Sequence, residues 1–426
     1  MFLHLDLDCF FISAHRTIDK SLKNIPAAVG GRSNLNIFST KKEVRKISEN
    51  SGAFVSTILT NEGEKSFKEY FVDENGKIRG IITTSSYEAR AFGVKTAMSV
   101  NEALKLCPHL KMVPPNYPLY HELSQKLLKL LEHEIPLVEQ FSIDEFFGDL
   151  RGYIQEEDVV NFAYTLKKKI EKEFNLPISI GIAHSKYLAK LITEYAKPDG
   201  VKYIKKEHMA NFIKDIPIKE FPGIGKGYQT RLKGYGIKTL GDIANKKELF
   251  YSWKKPGIDL YNKVCGINDN TLSLSKDKKS IGIGRSFDPI YDRDELKRRI
   301  IILSRYLCFL VKKANVNPLT YAIKIKYEYR IKSKNYINVN RIFNEEDFKF
   351  NMKKLFIQND IHSTHGIIQL NLTVSNFSKP KEFTYNLFEY ESDIKKRKLT
   401  NQIQKLRSKF GIDIIKSASE LEEKNN

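Results

Sequence analysis

Two short stretches of the sequence place carboxylates where strands are predicted to end. "LHLDLDCFF" begins at Leu3 and sets Asp6 and Asp8 among apolar neighbours, while "SIDEF" sets Asp144 and Glu145 side by side. Alternate residues of a strand share a face, so Asp6 and Asp8 are predicted to point the same way. An edge strand of a half-solvated sheet would show the same pattern. The alternative is a metal site at the end of a central strand, which needs a second source of carboxylates.

The pair Asp144-Glu145 can be that second source if it lies at a bend. Neighbouring residues of a regular strand point apart, so the two side chains converge only at a turn or a strand end. A solvated turn is one interpretation, but the flanking residues are apolar, and carboxylates in apolar surroundings are costly unless paired or metal-bound. With Asp6 they would make an oxygen site suited to Mg²⁺, two ions of which can clamp a phosphoryl transfer.

Two further motifs carry cations that could bind phosphate. "SYEAR" contains Tyr87 and Arg90, spaced to share a face of a helix that begins near Glu88. "AKPDG" contains Lys197 just after a predicted helix. A single Arg or Lys beside a turn is usually solvated. A triphosphate-transfer enzyme nevertheless needs such cations to balance the phosphates, whereas a nuclease does not.

"FPGIGKGYQTRLKGYGIKTLGDI" (Phe221–Ile243) predicts a helical hairpin with a glycine-rich turn. Glycines let backbone N–H groups point at a DNA phosphate from a helix N-terminus. A purely structural helix pair is the alternative. The pattern favours a helix-hairpin-helix that binds the DNA backbone without reading sequence. Its candidate DNA-binding residues are Gly223, Gly225, Lys226 and Gly227.

Composition indicates the class of partner. The chain has 426 residues and a formal net charge of +20, and its length suggests roughly two to four domains. Residues 276–341 contain 17 Lys or Arg against 6 Asp or Glu, a local net charge of +11. A lysine-rich codon bias would spread the charge more evenly, so this concentration favours nucleic acid as a partner.

Other features exclude several classes of protein. No apolar run approaches the roughly 18 residues that span a bilayer, and Met1 leads into a strand rather than a signal peptide. Cys9, Cys107, Cys265 and Cys308 are scattered, which argues against a disulfide framework or a zinc ribbon. We therefore expect a cytoplasmic protein with no membrane partner.

The remaining pattern indicates which elements position these groups. Strands and helices interleave without the glycine-rich turn of a dinucleotide-binding unit, which predicts an α+β sheet with helices on one side. "TYAIKIKYEYR" (Thr320–Arg330) alternates along a strand, and its basic face should bind DNA with little sequence preference. The apolar face comprises Tyr321, Ile323, Ile325, Tyr327 and Tyr329, and the basic face Lys324, Lys326 and Arg330. In "IIQLNLTV", the predicted core face is Ile368, Leu370, Leu372 and Val374.

The motifs "DLDCFF", "SYEARAFGV", "SIDEF", "AKPDG" and "FPGIGKG" occur in the order, and at roughly the spacing, found in Y-family DNA polymerases. The chain resembles the bacterial DNA polymerase IV (DinB-type) branch over about residues 1–266, and beyond that by architecture. This implies a multidomain α+β right hand with an α+β palm, small fingers, a helix-hairpin-helix thumb and a separate α/β little finger. The implied domains are the palm (1–11 and 117–205), fingers (12–116), thumb (206–271), linker (272–280), little finger (281–380) and a C-terminal tail with a helix (381–426).

The resemblance also implies a role for each motif. Asp6, Asp144 and Glu145 match the catalytic residues and ligands of two Mg²⁺ ions, joined by the backbone carbonyl of Leu7. Glu145 would lie beside the primer 3′-hydroxyl. The Phe11 ring would be a steric gate against a ribose 2′-hydroxyl. The nucleotide-binding set would be Phe10, Phe11, Tyr87, Arg90 and Lys197.

The implied function is low-fidelity, template-directed DNA synthesis across damaged templates by a monomer acting on the bacterial nucleoid. Its substrates would be primer-template DNA and deoxynucleoside triphosphates. A catalytically silent DNA-binding scaffold on the same fold is the alternative of another class. A metal-dependent nuclease is the enzymatic rival, but it has no use for a sugar gate or triphosphate cations.

Three features depart from the family pattern. Residues 34–79 form a much longer segment than usual, which we expect to extend the fingers. Phe147-Gly148 stands where the family commonly has Tyr-Leu. The sliding-clamp motif is present only as "TYNLF" (Thr384–Phe388), without its glutamine, and makes a clamp a candidate partner.

Asp8 is expected to be structural.

Overall fold

The computed structural model describes residues 1–39, 46–47, 58–59, 64–267, 271–273, 278–378 and 388–421, with backbone alone at 46–47 and 58–59. The chain forms two compact units. The first comprises Met1–Gly31 and Asn61–Lys276, and the second comprises Arg32–Thr60 and Asp277–Asn426.

The strands of the described residues, in chain order, are β1 (Phe2–Leu7), β2 (Ala27–Gly31), β3 (Lys46–Ile47), β4 (Ile58–Leu59), β5 (Ile81–Ser85), β6 (Lys111–Val113), β7 (Leu137–Gln140), β8 (Glu145–Asp149), β9 (Ile178–Ala183), β10 (Val201–Tyr203), β11 (Ser280–Ile290), β12 (Asn317–Tyr327), β13 (Lys332–Asn338) and β14 (Ile367–Ser378). The helices are α1 (Phe10–Ile18), α2 (Phe67–Phe71), α3 (Tyr87–Ala91), α4 (Val100–Leu106), α5 (Tyr117–Glu134), α6 (Val159–Phe174), α7 (Lys186–Glu194), α8 (Met209–Ile213), α9 (Lys226–Gly234), α10 (Leu240–Ala244), α11 (Lys247–Ser252), α12 (Lys254–Cys265), α13 (Arg293–Lys313), α14 (Glu345–Asn359) and α15 (Tyr390–Phe410).

Strand β1 is the centre of the five-stranded sheet of the first unit, whose order is β10-β9-β1-β8-β7. It pairs antiparallel with β8 and β9, and all its residues are buried. The edge-strand interpretation of "LHLDLD" is therefore wrong, and the central position of this strand in its sheet is confirmed. Because β1 has neighbours on both sides, Asp6 is buried within it and Asp8 just beyond its end.

Helix α7 lies close to this sheet because β9 has a glycine at the contact. A Cβ atom on Gly181 would lie 2.3 Å from the Ala189 carbonyl oxygen and 2.4 Å from the Thr193 nitrogen. Both atoms belong to the backbone of α7, which cannot yield as a flexible side chain does. The apolar residues that α7 buries are Leu188, Ala189, Leu191 and Ile192.

The rest of the first unit contains a second sheet and a group of short helices. The three-stranded sheet has the order β5-β2-β6 and packs in a core with Phe71, Ile82 and Val100. Helices α8 to α12 contribute to a separate apolar core that includes Phe221, Leu232 and Phe250. These short helices contain the predicted helical hairpin.

The second unit is built on an antiparallel sheet of order β11-β14-β12-β13, whose apolar face packs in one core with α13 and α14. The alternation predicted for β12 is confirmed for Tyr321, Ile323, Ile325 and Tyr327, all buried, while Lys324 is exposed. The sheet therefore has one core face and one face with basic residues.

Two details of the predicted alternation are wrong. Strand β12 ends at Tyr327, so Tyr329 and Arg330 lie in the following turn, with φ of 55° and 64°. Tyr329 is 81% exposed instead of facing the core. A register shift at the end of β12 also places Ile367, rather than Ile368, in the core of β14.

The long segment after β2 is divided between the units. Residues Arg32–Thr60 group with the second unit, whereas the sequence led us to expect that residues 34–79 extend the fingers. The later part lies in the first unit, where α2 buries Phe71 completely. Sequence patterns do not show which core accepts an inserted apolar residue, and this explains the difference.

The mixture of sheets and helices in both units confirms the predicted multidomain α+β class. Within the described ranges, no helix combines the length and the apolar character needed to cross a bilayer.

We predict that Gly181→Ala lowers the free energy of unfolding by about 1–3 kcal/mol or more, because the added methyl group must displace the α7 backbone. Gly234→Ala is the matched control, since its added Cβ meets no atom within 4 Å, and it should change stability by less than about 1 kcal/mol. Urea denaturation followed by circular dichroism measures both. Equal midpoints for Gly181→Ala and the wild type would contradict the close contact.

Candidate catalytic site

The predicted carboxylates lie near one another where β1 ends and β8 begins, and the charges of Asp144 and Glu145 act on Asp6. Asp6 is the partner of Glu145 across the antiparallel ladder. The Leu7 amide donates to the Asp144 carbonyl oxygen at 3.0 Å, and the Ser142 amide donates to the Glu145 carbonyl oxygen at 3.2 Å. The second bond belongs to a tight turn between β7 and β8. Asp144 and Glu145 are therefore not consecutive residues of a regular strand, and they need not point apart.

Burial makes this carboxylate cluster electrostatically costly. Burial raises the pKa of Asp6 to about 7; Lys197 opposes the rise, while the charges of Asp144 and Glu145 add to it. Burial also raises the pKa of Asp144, against a hydrogen bond from Ser142 that lowers it. Asp6 therefore depends on nearby cations to remain ionised at neutral pH.

Two lysines supply positive charge. Lys197 Nζ lies 2.9 Å from Asp6 Oδ2 and 2.7 Å from Glu194 Oε1. Lys190 Nζ forms an ion pair with Glu145 Oε1. Although burial lowers the pKa of Lys197, Asp6 and Glu194 together raise it above its ordinary value. Lys197 is therefore a charged partner of the cluster, and Lys190 is the ion-pair partner of Glu145.

Lys190 is a candidate that sequence reasoning missed. It follows Lys186 by four residues, a spacing that places these two on one side of a helix, whereas Lys197 lies after the end of α7. Lys186 forms an ion pair with the buried Glu139. The basic side of α7 was therefore visible in the sequence as two lysines four residues apart.

His4 is a second residue without a predicted role. Its buried ring lies with Nδ1 2.8 Å from Thr193 Oγ1 on α7 and with Nε2 3.9 Å from Glu145 Oε1. Burial, followed by the charge of Lys190, holds the pKa of His4 well below its usual value. The ring is therefore neutral, and it does not offset the charge of the carboxylates.

The donor atoms of Asp6, Asp144 and Glu145 suit a divalent cation by chemical type, although the side chains of Asp6 and Glu145 are bonded to lysines. Among the residues that the structure describes, no three His, Cys, Asp or Glu side chains converge as a group that could hold a metal ion. Asp6 and Glu145 are instead each in contact with a lysine. The donors are nevertheless carboxylate oxygens in a buried cluster that needs positive charge, and Mg²⁺ prefers such ligands. The carboxylate oxygens are therefore ligands of the type that Mg²⁺ prefers. In this structure Asp6 and Glu145 are paired with lysines.

The aromatic pair at the start of α1 is fixed by α5. Phe11 is 5% exposed, and its ring stacks on that of Tyr120 with centroids 4.3 Å apart and planes 7° from parallel. Tyr120 OH is 2.8 Å from His15 Nε2 and accepts from the Asn116 amide. Phe10 is also buried. The orientation of Phe11 therefore depends on α5, which the sequence motif did not indicate.

Asp8 is held by donors from three parts of the first unit. Its carboxylate accepts from Tyr87 OH at 3.0 Å, from Ser179 Oγ at 2.8 Å and from the Asp199 amide at 2.7 Å. Its carbonyl oxygen accepts from Ser13 Oγ at 2.6 Å. These bonds agree with the structural role expected of Asp8.

Tyr87 and Arg90 share one side of α3. The Arg90 guanidinium carbon lies 4.8 Å from the centroid of the Tyr87 ring, and Arg90 Nε donates to the Ser85 carbonyl oxygen. Arg90 is exposed. Tyr87 is therefore bonded to Asp8 at the end of β1, while Arg90 presents its charge to solvent.

The predicted hairpin glycines lie before and within the first turn of α9. Gly223 has φ of 97°, a conformation that favours glycine, and Gly225 is the N-cap of α9. An added Cβ at Gly223, Gly225 or Gly227 would meet nothing within 4 Å, so the backbone is open to a ligand there. A cleft of about 530 Å³ is lined by Lys190 and Lys219 together with Gly223 and Gly225. Lys190, which contacts Glu145, therefore also lines this cleft.

The other predicted DNA-binding residues lie in the second unit. Lys324 and Lys326 are on the side of β12 opposite the core residues, and Arg330 is exposed in the turn after it. The clamp-like segment Thr384–Phe388 lies outside the described residues except for Phe388, which is 99% exposed.

Comparisons with known proteins cover most of the chain. Residues 5–194 match the impB/mucB/samB family, and residues 278–386 match the C-terminal domain of that family. The DNA polymerase IV of Oceanobacillus iheyensis is 31% identical over 422 residues, which cover 97% of this chain and 90% of that protein. The DNA polymerase IV of Clostridioides difficile is 29% identical over 401 residues, 92% of this chain and 98% of that protein.

Solved structures share the fold. A Y-family DNA polymerase chimera is similar with a TM-score of 0.68 at 21% identity, covering 88% of this chain and 98% of that one. DinB from Sulfolobus solfataricus is similar with a TM-score of 0.51 at 20% identity, with the same coverage. This likeness agrees with the multidomain α+β architecture.

We predict that Asp8→Asn lowers stability by about 1–3 kcal/mol, because one amide oxygen cannot replace two carboxylate oxygens that accept from three donors. The matched control is Asp215→Asn, at an exposed aspartate, which should change stability by less than about 0.5 kcal/mol. Thermal and urea unfolding measure both. An unchanged midpoint for Asp8→Asn would mean that this network does not stabilise the unit.

Proposed function

This chain belongs to the impB/mucB/samB family, the Y-family DNA polymerases of the DNA polymerase IV branch, and we propose that the carboxylates at the end of β1 are its catalytic site. The protein is a DNA-directed DNA polymerase of the translesion type. The observation that supports the site is the pairing of Asp6 with Glu145 in a buried cluster, where the pKa of Asp6 is about 7. The alternative of a catalytically silent scaffold finds no support among the comparisons.

We propose that Asp6, Asp144, Glu145 and the backbone carbonyl of Leu7 hold two Mg²⁺ ions. All are hard oxygen donors, which suit this ion. Such ions, when bound, promote attack by the primer 3′-hydroxyl and balance the charge of the leaving pyrophosphate. Glu145 is assigned to the side of the primer terminus.

Lys197, Arg90 and Tyr87 are assigned to the incoming triphosphate. Lys197 is adjacent to Asp6, and Arg90 is exposed on the neighbouring α3. Both cations can bind phosphate oxygens, Arg90 through two parallel N–H donors. Tyr87 is oriented by its bond to Asp8, which also bonds the turn after Lys197. One buried carboxylate thus bonds both the Tyr87 side chain and the backbone just after Lys197, and these two elements would bind the same substrate.

Phe10 and Phe11 are assigned to the sugar of the nucleotide, with Phe11 as the steric gate. A gate must be rigid, because it excludes a 2′-hydroxyl by occupying space. The stacking of Phe11 on Tyr120 and the bonds of Tyr120 to α1 and to Asn116 supply that rigidity. Excluding ribose thus depends on α5 as well as on the gate itself.

We assign the binding of DNA to two basic surfaces. At the thumb hairpin, the backbone around Gly223, Gly225, Lys226 and Gly227 can donate N–H groups to phosphates without reading sequence. In the second unit, Lys324, Lys326 and Arg330 would bind the duplex backbone. Phosphate contacts of both kinds suit an enzyme that must accept many template sequences.

We further propose the palm (1–11 and 117–205), fingers (12–116), thumb (206–271), linker (272–280), little finger (281–380) and tail (381–426), with residues 32–60 grouped structurally with the little finger. The enzyme would act as a monomer on the nucleoid in the bacterial cytoplasm. A sliding clamp would bind through Thr384–Phe388.

Replacing Asp144 with Asn or Glu145 with Gln should reduce primer extension by at least about 10²–10³-fold, because each change removes a charge at the reacting oxygens. DNA binding should persist, since the proposed DNA surfaces lie elsewhere. Single-nucleotide extension under saturating DNA measures the rate, and gel shift measures the affinity. Exposed Glu132→Gln is the matched control. Near wild-type extension by either variant would refute the assignment.

Phe11→Ala should increase the ratio of ribonucleotide to deoxynucleotide incorporation at least about tenfold, because it removes a steric barrier rather than a binding contact. Phe11→Leu should have a smaller effect in the same direction. Separate kcat/KM values for rNTP and dNTP on one template give the ratio, and a melting curve checks the fold. The control Phe92→Ala changes a ring that is 47% exposed. If Phe11→Ala keeps the wild-type ratio, another residue excludes ribose.

A further inference from the structure

The chain joins the second unit directly after strand β2. β2 ends at Gly31 in the first unit, and Arg32 is the first residue that groups with the second. Residues 33–38, here called the strap, then pack on β11 and α13 of the second unit. Only Arg32 separates the end of β2 from the strap.

Polar contacts fix the beginning of the strap to β11. Ser33 Oγ accepts from the Ser286 amide at 3.2 Å, and Arg285 Nε donates to the Asn34 carbonyl oxygen at 3.1 Å. The Asn34 side chain then caps the short 3-10 helix Leu35–Phe38. The backbone of the strap is thus bonded to a sheet strand that is distant in sequence.

Apolar and cationic contacts fix its end. Ile37 and Phe38 are 2% and 4% exposed and belong to the core of the second unit. Phe38 lies edge-on to Phe287, with centroids 6.4 Å apart, and the Arg299 guanidinium is 4.5 Å and 4.8 Å from these two rings. Arg298 Nη1 donates to the Phe38 carbonyl oxygen at 3.1 Å. Connecting segments usually run over a surface, so this burial marks a docked element.

The chain passes between the units three times, and two of these connections, at Gly31–Arg32 and at Lys276–Asp277, differ in length. From Gly31 to Ser33 the chain can span at most about 7 Å, since an extended residue spans about 3.3–3.6 Å. The other connection is longer. Ser273 is bonded to Glu139 of the first unit, and β11 begins at Ser280, so the intervening chain can span about 23 Å. While the strap is docked, the shorter connection limits how far β11 can move from β2.

We propose that the strap is a second tether that keeps the little-finger unit close to the fingers strand β2 during synthesis and so increases the number of nucleotides added per DNA encounter. This rests on the proposed polymerase function. A short tether raises the effective concentration of one binding surface for a ligand held by another. Undocking leaves only the longer connections, so the basic surface of the second unit rebinds the same DNA less often.

The test uses full-length protein carrying Phe38→Ala, with Arg299→Met as a milder variant. Hydrogen exchange of the Leu35–Phe38 and Ser286 amides should accelerate at least about tenfold, because docking protects them. Single-nucleotide incorporation by enzyme in excess over DNA should stay within about twofold of the wild type. With trap DNA present, the nucleotides added per encounter should fall at least about threefold, as the effective concentration drops.

Phe356→Ala is the matched control, because it removes a buried ring of the same core from α14. It should lower the melting temperature without reducing nucleotides per encounter. An equal reduction in Phe356→Ala would show that the strap only stabilises the second unit, and would overturn the proposal. Unchanged exchange, or faster exchange with unchanged nucleotides per encounter, would overturn it as well.

Failure of the proposed polymerase function can be distinguished from failure of this inference. If the wild-type chain adds no nucleotide to a primer, the proposed function fails, and this inference fails with it. If the wild type extends primers normally but the strap variants match it in both measurements, the inference fails alone.

Discussion

Buried negative charge at the end of β1 is the constraint on which the first unit depends. A central strand has no solvent at its sides, so Asp6 loses hydration and its pKa rises to about 7. Lys190 and Lys197 offset the charge from α7 and from the segment after it. They can do so because α7 lies against β9, where Gly181 has no side chain. The lack of a side chain at Gly181 in β9 therefore favours the ionised form of Asp6 in the neighbouring strand β1.

The two aspartates of "DLD" illustrate how neighbouring residues take different roles. Asp8 accepts from three donors, one of them a backbone amide, so its oxygens are occupied by the protein. Asp6 is bonded instead to Lys197, whose flexible side chain can donate to other acceptors. A carboxylate satisfied by fixed donors stabilises a fold, whereas one satisfied by a mobile cation can exchange its partner. Their hydrogen bonds distinguish the two roles, although their residue type does not.

Sequence reasoning predicted what depends on local pattern. The bend at Asp144-Glu145 and the alternation of β12 follow from strand geometry, and the structure contains both. The sequence alone could not distinguish an edge position from a central position for β1. The alternation of apolar and acidic residues is the same in both, and only the neighbouring strands differ. Tyr329 was placed on the wrong face because the strand ends two residues before it. The core contacts of Phe38 could not be predicted, because its partners lie about 250 residues away, beyond the reach of any local pattern.

Lys197, which we assign to the triphosphate, also takes part in this electrostatic balance. It contacts Asp6 and Glu194 together, so it retains one carboxylate when another cation takes the place beside Asp6. Its ammonium has three donors on a flexible stem, and can turn toward a phosphate oxygen while still bonded to Glu194. An exchange of this kind would keep Lys197 paired with Glu194, which matters because an unpaired buried charge is strongly destabilising. If a cation binds at Asp6 and a triphosphate at Lys197, as proposed above, each would remove the electrostatic obstacle to the other.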